Sequence, residues 1–148
     1  DHLDTDLVDF HHYLGKASLA RTLYGRFRDR DPDLLYGFSL KKVLAFYAKD
    51  LVGTDVRTVF LERKGDVSGL PWMLSEFGGF GWYATEEEGS VAEKIETYTR
   101  GILASGLFCG YCLTQLYDVG EEINGLLDFE RRPKIQTALM ARINAMKP

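Results

Sequence analysis

The stretch LPWMLSEFGG, residues 70–79, decides the fold class of this chain. Its first half is a continuous apolar run of strand length, with Pro71 at the start, where a strand tolerates proline. Such a run is typical of a strand buried on both faces, as in parallel sheets that helices cover. Glu76 lies at the carboxyl end of this run and is followed closely by Gly78 and Gly79.

Glu76 is the first candidate functional residue. In barrels of alternating strands and helices, catalytic side chains lie at the carboxyl ends of the strands. A carboxylate held there on rigid backbone, with glycines that leave space for a ligand, suits nucleophilic or acid–base chemistry. A helix-capping or salt-bridged glutamate is the alternative interpretation.

Length and composition narrow the function classes. The 148 residues, 45% of them hydrophobic, suit a single domain with a sizeable core. The net charge is −4, from 18 basic and 22 acidic residues, so no nucleic-acid partner is expected. No apolar run reaches the roughly 18 residues that span a bilayer, so no membrane partner is expected either. The chain begins at Asp1 rather than Met, so the lack of a signal peptide is uninformative.

The other elements alternate between strands and helices. A capping box, Ser90 with Glu93, predicts the start of a helix that ends near residue 106. Pro133 predicts the first residue of the last helix. The remaining predictions are a strand at 6–13, helices at 17–28 and 39–53, and a strand at 107–116. This α/β order implies parallel pairing with right-handed crossovers.

Two motifs suggest cofactors, and neither is convincing. Cys109 and Cys112 have C-x-x-C spacing, but on a buried strand they would point to opposite faces, and zinc would need a second pair. Residues 79–84 fit G-x-G-x-x-A, the dinucleotide fingerprint. Three glutamates follow, however, and the next helix starts too late to bind a phosphate. We therefore expect no metal and no cofactor.

Four segments, in order, resemble the carboxy-terminal part of the catalytic domain of glycoside hydrolase family 2. They are DTDLVDFHHY (4–13), LSEFGG (74–79), GYCLTQLYDV (110–119) and EINGLL (122–127). That family includes β-galactosidases, β-glucuronidases and β-mannosidases. The resemblance implies a partial (β/α)8 TIM barrel, in which this chain supplies the last three strand–helix units. Strand six would lie near residues 6–13, strand seven near 71–76 and strand eight near 107–116.

The resemblance also implies an activity, the hydrolysis of O-glycosidic bonds by double displacement with retention. Glu76 matches the family's nucleophile, and Tyr13 matches a tyrosine that hydrogen-bonds it, leaving the other carboxylate oxygen free to attack. The family's acid/base is a glutamate that follows an asparagine on strand four, and this sequence contains no Asn-Glu pair. That residue, the first half of the barrel and the β-sandwich domains of relatives are expected in a longer parent protein.

The same resemblance implies contacts with a carbohydrate substrate. Thr114, Gln115 and Asp118 match the end of strand eight and the loop after it, where Thr114 replaces a tryptophan found in many relatives. Trp82 is then the predicted stacking platform for the sugar. His11, which has the same strand parity as Tyr13, is predicted to contact a sugar hydroxyl. A histidine satisfied in the core or at the rim is an equally open alternative.

A function of another class stays open. The chain could be a non-enzymatic α/β half-barrel that acts as an interaction module. A three-unit piece of a barrel leaves two strand edges without partners, so self-association is expected.

Overall fold

The computed structural model describes residues 6–13, 17–21, 24–25, 28, 69–80 and 90–148. Three strands form a parallel sheet in the order β1-β2-β3. Strand β1 is Val8–His12, β2 is Trp72–Gly78 and β3 is Phe108–Thr114. The structure is a small mixed α/β fold, and the parallel pairing confirms the prediction from the order of the elements. The helix predicted at 39–53 lies outside the described residues.

Strand β2 is the central strand of this sheet. Leu74 and Phe77 are fully buried and Trp72 is nearly so, as expected for the apolar run that precedes Glu76. The strand ends at Gly78, two residues later than predicted, because the register with β3 continues as far as the pair Gly78 and Thr114. Glu76 therefore lies inside the strand and not after it, where it pairs with His11 of β1.

Helix α1, Val91–Ser105, begins and ends at the residues that the sequence predicts. Ser90 caps it: its Oγ accepts a hydrogen bond from the Glu93 amide at 3.3 Å, and the Ser90 amide donates to Glu93 Oε2 at 2.7 Å. Gly106 ends the helix in the left-handed conformation, with φ of 60°. The helix buries one face, which includes Ile95, Tyr98 and Ile102, against the sheet and the residues that follow β1.

The segment after β1 packs against α1 at very short range. Ala17–Leu19 is a 3-10 turn, and the described residues between 20 and 28 are helical, as predicted. A Cβ atom added at Gly101 of α1 would lie 2.5 Å from the backbone nitrogen of Arg21. Only glycine allows this approach of the two backbones.

This close approach predicts that Gly101→Ala destabilises the protein by about 2–3 kcal/mol, because the added methyl collides with backbone that cannot rotate away. Elsewhere in a helix the same change is favourable by about 1 kcal/mol. Gly25→Ala is the matched control, since Gly25 is also helical and no described residue lies within 4 Å of its added Cβ. Urea unfolding should show opposite shifts for the two variants. Equal shifts would contradict the close contact between Gly101 and Arg21.

The last helix starts later than predicted. Helix α2 is Thr137–Asn144, and Pro133 is not its first residue. Pro133 instead pairs with Leu127, and the Lys134 amide donates to the Leu126 carbonyl at 2.9 Å. These contacts hold residues 133–134 in the loop. Ile143 is the buried residue of α2.

Strand β3 also differs from its prediction. It was predicted to be buried, but it is half-buried, and Cys109 and Cys112 are both exposed free thiols. Its register with β2 shifts twice, so side chains do not simply alternate along the strand. Within the described parts of the chain, no helix has the length and apolar character needed to cross a membrane.

Candidate active site

Three side chains from two neighbouring strands meet at the carboxyl end of the sheet. Glu76 comes from β2, His11 from β1, and Tyr13 is the first residue after β1. A register shift between Phe10 and His11 brings His11 directly opposite Glu76. The parallel direction of the strands places all three at one edge, where such sheets bind ligands.

Both carboxylate oxygens of Glu76 have a partner from the β1 segment. The Tyr13 hydroxyl donates a hydrogen bond to Oε1, and His11 Nδ1 lies 2.7 Å from Oε2. The Glu76 side chain is 26% exposed and that of His11 55% exposed, so the group opens to solvent. Two partners on separate oxygens hold the carboxylate in one orientation.

This geometry refines two predictions. Tyr13 is found in contact with Glu76, as the family resemblance implied. His11, however, contacts the carboxylate itself, so the second oxygen is not free of partners as expected. Each carboxylate oxygen has two lone-pair sites, so Oε2 can accept from His11 and keep one site for a ligand.

The glycines after Glu76 serve to bring two strands together. A Cβ atom at Gly78 would lie 2.8 Å from the carbonyl oxygen of Thr114, and Gly78 has φ of 113°. The amide of Gly79, which has φ of 65°, donates to that same carbonyl at 3.1 Å. Space for a ligand was the predicted role of these glycines. That role stays a prediction, and the structure adds a close contact that places Thr114 beside the Glu76 segment.

The loop after β3 uses two predicted substrate contacts internally. Asp118 is only 6% exposed; Lys134 Nζ lies 2.8 and 3.1 Å from its two carboxylate oxygens, and the Gly125 amide donates to it at 2.8 Å. The Lys134 ammonium, followed by the Gly125 amide, lowers the pKa of the Asp118 carboxyl. Gln115 donates from Nε2 to Asn124 Oδ1 at 3.1 Å. Asp118 therefore organises the loop and does not present its carboxylate for a sugar contact.

A buried polar cluster lies behind the site, and sequence reasoning did not find it. His12 Nδ1 lies 2.8 Å from the Tyr24 hydroxyl, which lies 2.8 Å from the Tyr98 hydroxyl. Burial lowers the pKa of His12 to about 3, so its imidazole is neutral at physiological pH.

Two predicted site residues remain, Thr114 and Trp82. Thr114 is half-buried at the end of β3, next to the Glu76 segment. Trp82 lies outside the described residues. The described residues hold no group of three or more His, Cys, Asp or Glu side chains arranged to bind a metal ion.

Comparison with known proteins does not assign the chain. No protein-family model matches it, and no curated protein matches it. A functional assignment therefore depends on the geometry around Glu76 and on the motifs in the sequence.

Proposed function

We propose that this chain is the carboxy-terminal part of the catalytic barrel of a retaining β-glycosidase that resembles glycoside hydrolase family 2. Glu76 is the proposed nucleophile. One observation carries the proposal: a glutamate near the carboxyl end of a parallel strand accepts a hydrogen bond from a tyrosine on the neighbouring strand segment. In the proposed barrel, β1, β2 and β3 are strands six, seven and eight.

The proposed chemistry uses Glu76 Oε2. Tyr13 holds Oε1, so the other oxygen can attack the anomeric carbon and form a covalent glycosyl intermediate as the leaving group departs. A second carboxyl, about 5–5.5 Å from the nucleophile, protonates the leaving oxygen and later activates water. That acid/base residue is proposed to come from the longer parent protein.

The substrate is proposed to be a β-linked carbohydrate. Thr114 and Gln115 lie at the end of β3, where the resemblance implies a sugar site, and His11 lies at the solvent-exposed side of Glu76. Trp82 is proposed to stack on the sugar ring. Asp118 is not in this set because Lys134 and Gly125 engage its carboxylate. Gln115 stays in it because its hydrogen bond to Asn124 uses the amide nitrogen and not the amide oxygen.

A second candidate function, an interaction module, is favoured by one observation. The loop after β3 carries four large apolar side chains that are each more than half exposed, namely Leu116, Val119, Ile123 and Phe129. Four such side chains on one loop are typical of a surface that another protein covers. Sedimentation at several concentrations would separate a monomer from a self-associating chain.

Covalent trapping of Glu76 tests the glycosidase proposal most directly. A 2-deoxy-2-fluoro β-glycoside with a dinitrophenolate leaving group needs little protonation to react. The fluorine slows both displacement steps, while the reactive leaving group favours the first. With no general base to activate water, the glycosyl adduct should persist. Intact mass should rise by one glycosyl unit, and peptide mapping should place that unit on Glu76.

A panel of β-galactosyl, β-glucuronosyl and β-mannosyl reagents would also identify the sugar. The longer parent protein should be treated with the same reagents as a second test. An adduct on a residue other than Glu76 would overturn the assignment of the nucleophile. No adduct in either protein would overturn the proposed function.

A further inference from the structure

One residue of helix α1 contacts both strands that carry the candidate site. The Tyr98 hydroxyl donates to the backbone carbonyl of His12 at 2.8 Å, and the Tyr98 ring stacks on Phe77 with centroids 4.7 Å apart. His12 lies between the two residues of the β1 segment that contact Glu76, and Phe77 directly follows Glu76. Tyr98 thus fixes each strand at a position next to the site.

The hydrogen bonds behind the site form a closed ring, because each hydroxyl has a single proton to donate. Tyr98 has one hydroxyl proton, which it donates to the His12 carbonyl, so the Tyr24 hydroxyl must donate to Tyr98. The proton of Tyr24 is then in use, so His12 Nδ1–H donates to Tyr24. We refer to His12, Tyr24 and Tyr98 as the buried ring, since this path begins and ends on His12.

The protonation of the buried ring is constant. All three residues are at most 1% exposed. Burial raises the pKa of Tyr24 well above its ordinary value, so both its proton and the neutral imidazole of His12 persist across the physiological pH range. Hydrogen bonds of this kind are costly to break, because a buried group that loses its partner cannot turn to water.

We propose that the buried ring is a positioning device for the reaction at Glu76. By fixing the backbone of β1 at His12, it holds His11 and Tyr13 against the two oxygens of the carboxylate. The proposal rests on the proposed glycosidase function, which it deepens by assigning positioning roles to Tyr24 and Tyr98. Neither residue contacts Glu76 in the structure's hydrogen-bond network, so each acts through His12.

Tyr98→Phe is the variant that tests this role. It removes the hydroxyl and keeps the ring that stacks on Phe77. Tyr111→Phe is the matched control, because Tyr111 also contacts Phe77, edge-to-face at 5.8 Å, but lies on β3 and outside the buried ring. Tyr24→Phe removes a different member of the buried ring and serves if Tyr98→Phe does not fold.

The first measurement is the rate at which the fluoroglycoside labels Glu76, followed against reagent concentration at a temperature where every variant is folded. For Tyr98→Phe we expect the limiting rate to fall about 10- to 100-fold while the half-saturating concentration changes little. Tyr111→Phe should match the natural protein. A residue with only a structural role would lower the urea midpoint and leave the limiting rate unchanged, and that result would overturn the proposal.

The second measurement does not depend on glycosidase activity. The side-chain ¹⁵N signals of His11 report its contact with Glu76, and those of His12 report which ring nitrogen carries the proton. We expect both sets to move in Tyr98→Phe and in Tyr24→Phe, and not in Tyr111→Phe. If neither this chain nor the longer parent protein can be labelled, the proposed function fails, and these signals alone decide whether the buried ring positions the groups around Glu76. Unchanged His11 signals would overturn it.

Discussion

Replacing Glu76 with glutamine should eliminate covalent labelling by the fluoroglycoside and lower any turnover of dinitrophenyl β-glycosides by about 1000-fold or more. An amide has nearly the shape of the carboxylate, but its neutral oxygen is a far weaker nucleophile than a carboxylate oxygen. The amide oxygen can still accept from Tyr13, so the local packing should survive. Mass spectrometry gives the labelling, and dye release gives the turnover.

Glu121→Gln is the control for this experiment. It makes the same chemical change at an exposed carboxylate in the loop after β3, and it should leave labelling and turnover as they are in the natural protein. Far-ultraviolet circular dichroism and urea midpoints should agree among all three proteins. Full labelling of Glu76→Gln would mean that another group is the nucleophile.

Acid should destabilise this protein before its carboxylates are protonated, because of His12. The unfolded chain binds a proton at this imidazole near pH 6.5, whereas burial lowers the pKa in the folded state to about 3. Between these values the unfolded state holds more protons, so the stability present above pH 6.5 is lost as the pH falls. The free energy of unfolding should decrease by about 1.4 kcal/mol per pH unit, or about 5 kcal/mol by pH 3.

Urea unfolding between pH 7.5 and 5 isolates this effect. Hydrogen bonds and ion pairs also lower the pKa of four carboxyls, those of Glu93, Glu96, Asp118 and Asp128. Their ordinary values are 4.5 or 3.8, so most of the stability they contribute is lost below pH 5. His12→Asn keeps a donor near the position of Nδ1 and removes the titration. Its slope between pH 6.5 and 5 should be close to zero. An unchanged slope in that variant would show that another group carries the effect.

Local signals made several elements predictable from the sequence. The apolar run before Glu76 is stabilised only by burial in the interior, and the sheet indeed buries Leu74 and Phe77. The capping box at Ser90 and the glycine at position 106 need no distant partner, so the limits of α1 were predicted to within a residue. The contact between Tyr13 and Glu76 followed from the family resemblance and not from any local pattern.

Errors arose where distant partners override a local signal. Pro133 is an ordinary first residue for a helix, but the pairing of residues 126–127 with 133–134 delays α2. Asp118 was predicted to contact the substrate. Its salt bridge with Lys134 forms only when the loop brings the two residues together, so no local signal predicts it. The apolar sequence around Cys109 and Cys112 predicted a buried strand, but β3 is half-buried and both thiols are exposed.

The buried ring could not be found from the sequence. Its three hydrogen bonds join residues that are 12, 74 and 86 positions apart in the sequence. No local pattern therefore signals that this histidine contacts two tyrosines. His11 and His12 are adjacent and chemically identical in the sequence. Their environments differ completely, since one is more than half exposed and the other is fully buried.

The two contacts of Tyr98 have a consequence for motion. Because α1 is joined to β1 through a hydrogen bond and to β2 through a stacked ring, a small displacement of the helix carries both strands with it. The distances from Glu76 to Tyr13 and His11 should therefore change little when the surrounding structure fluctuates. Thermal fluctuation would translate this cluster as a unit before it would distort the cluster internally.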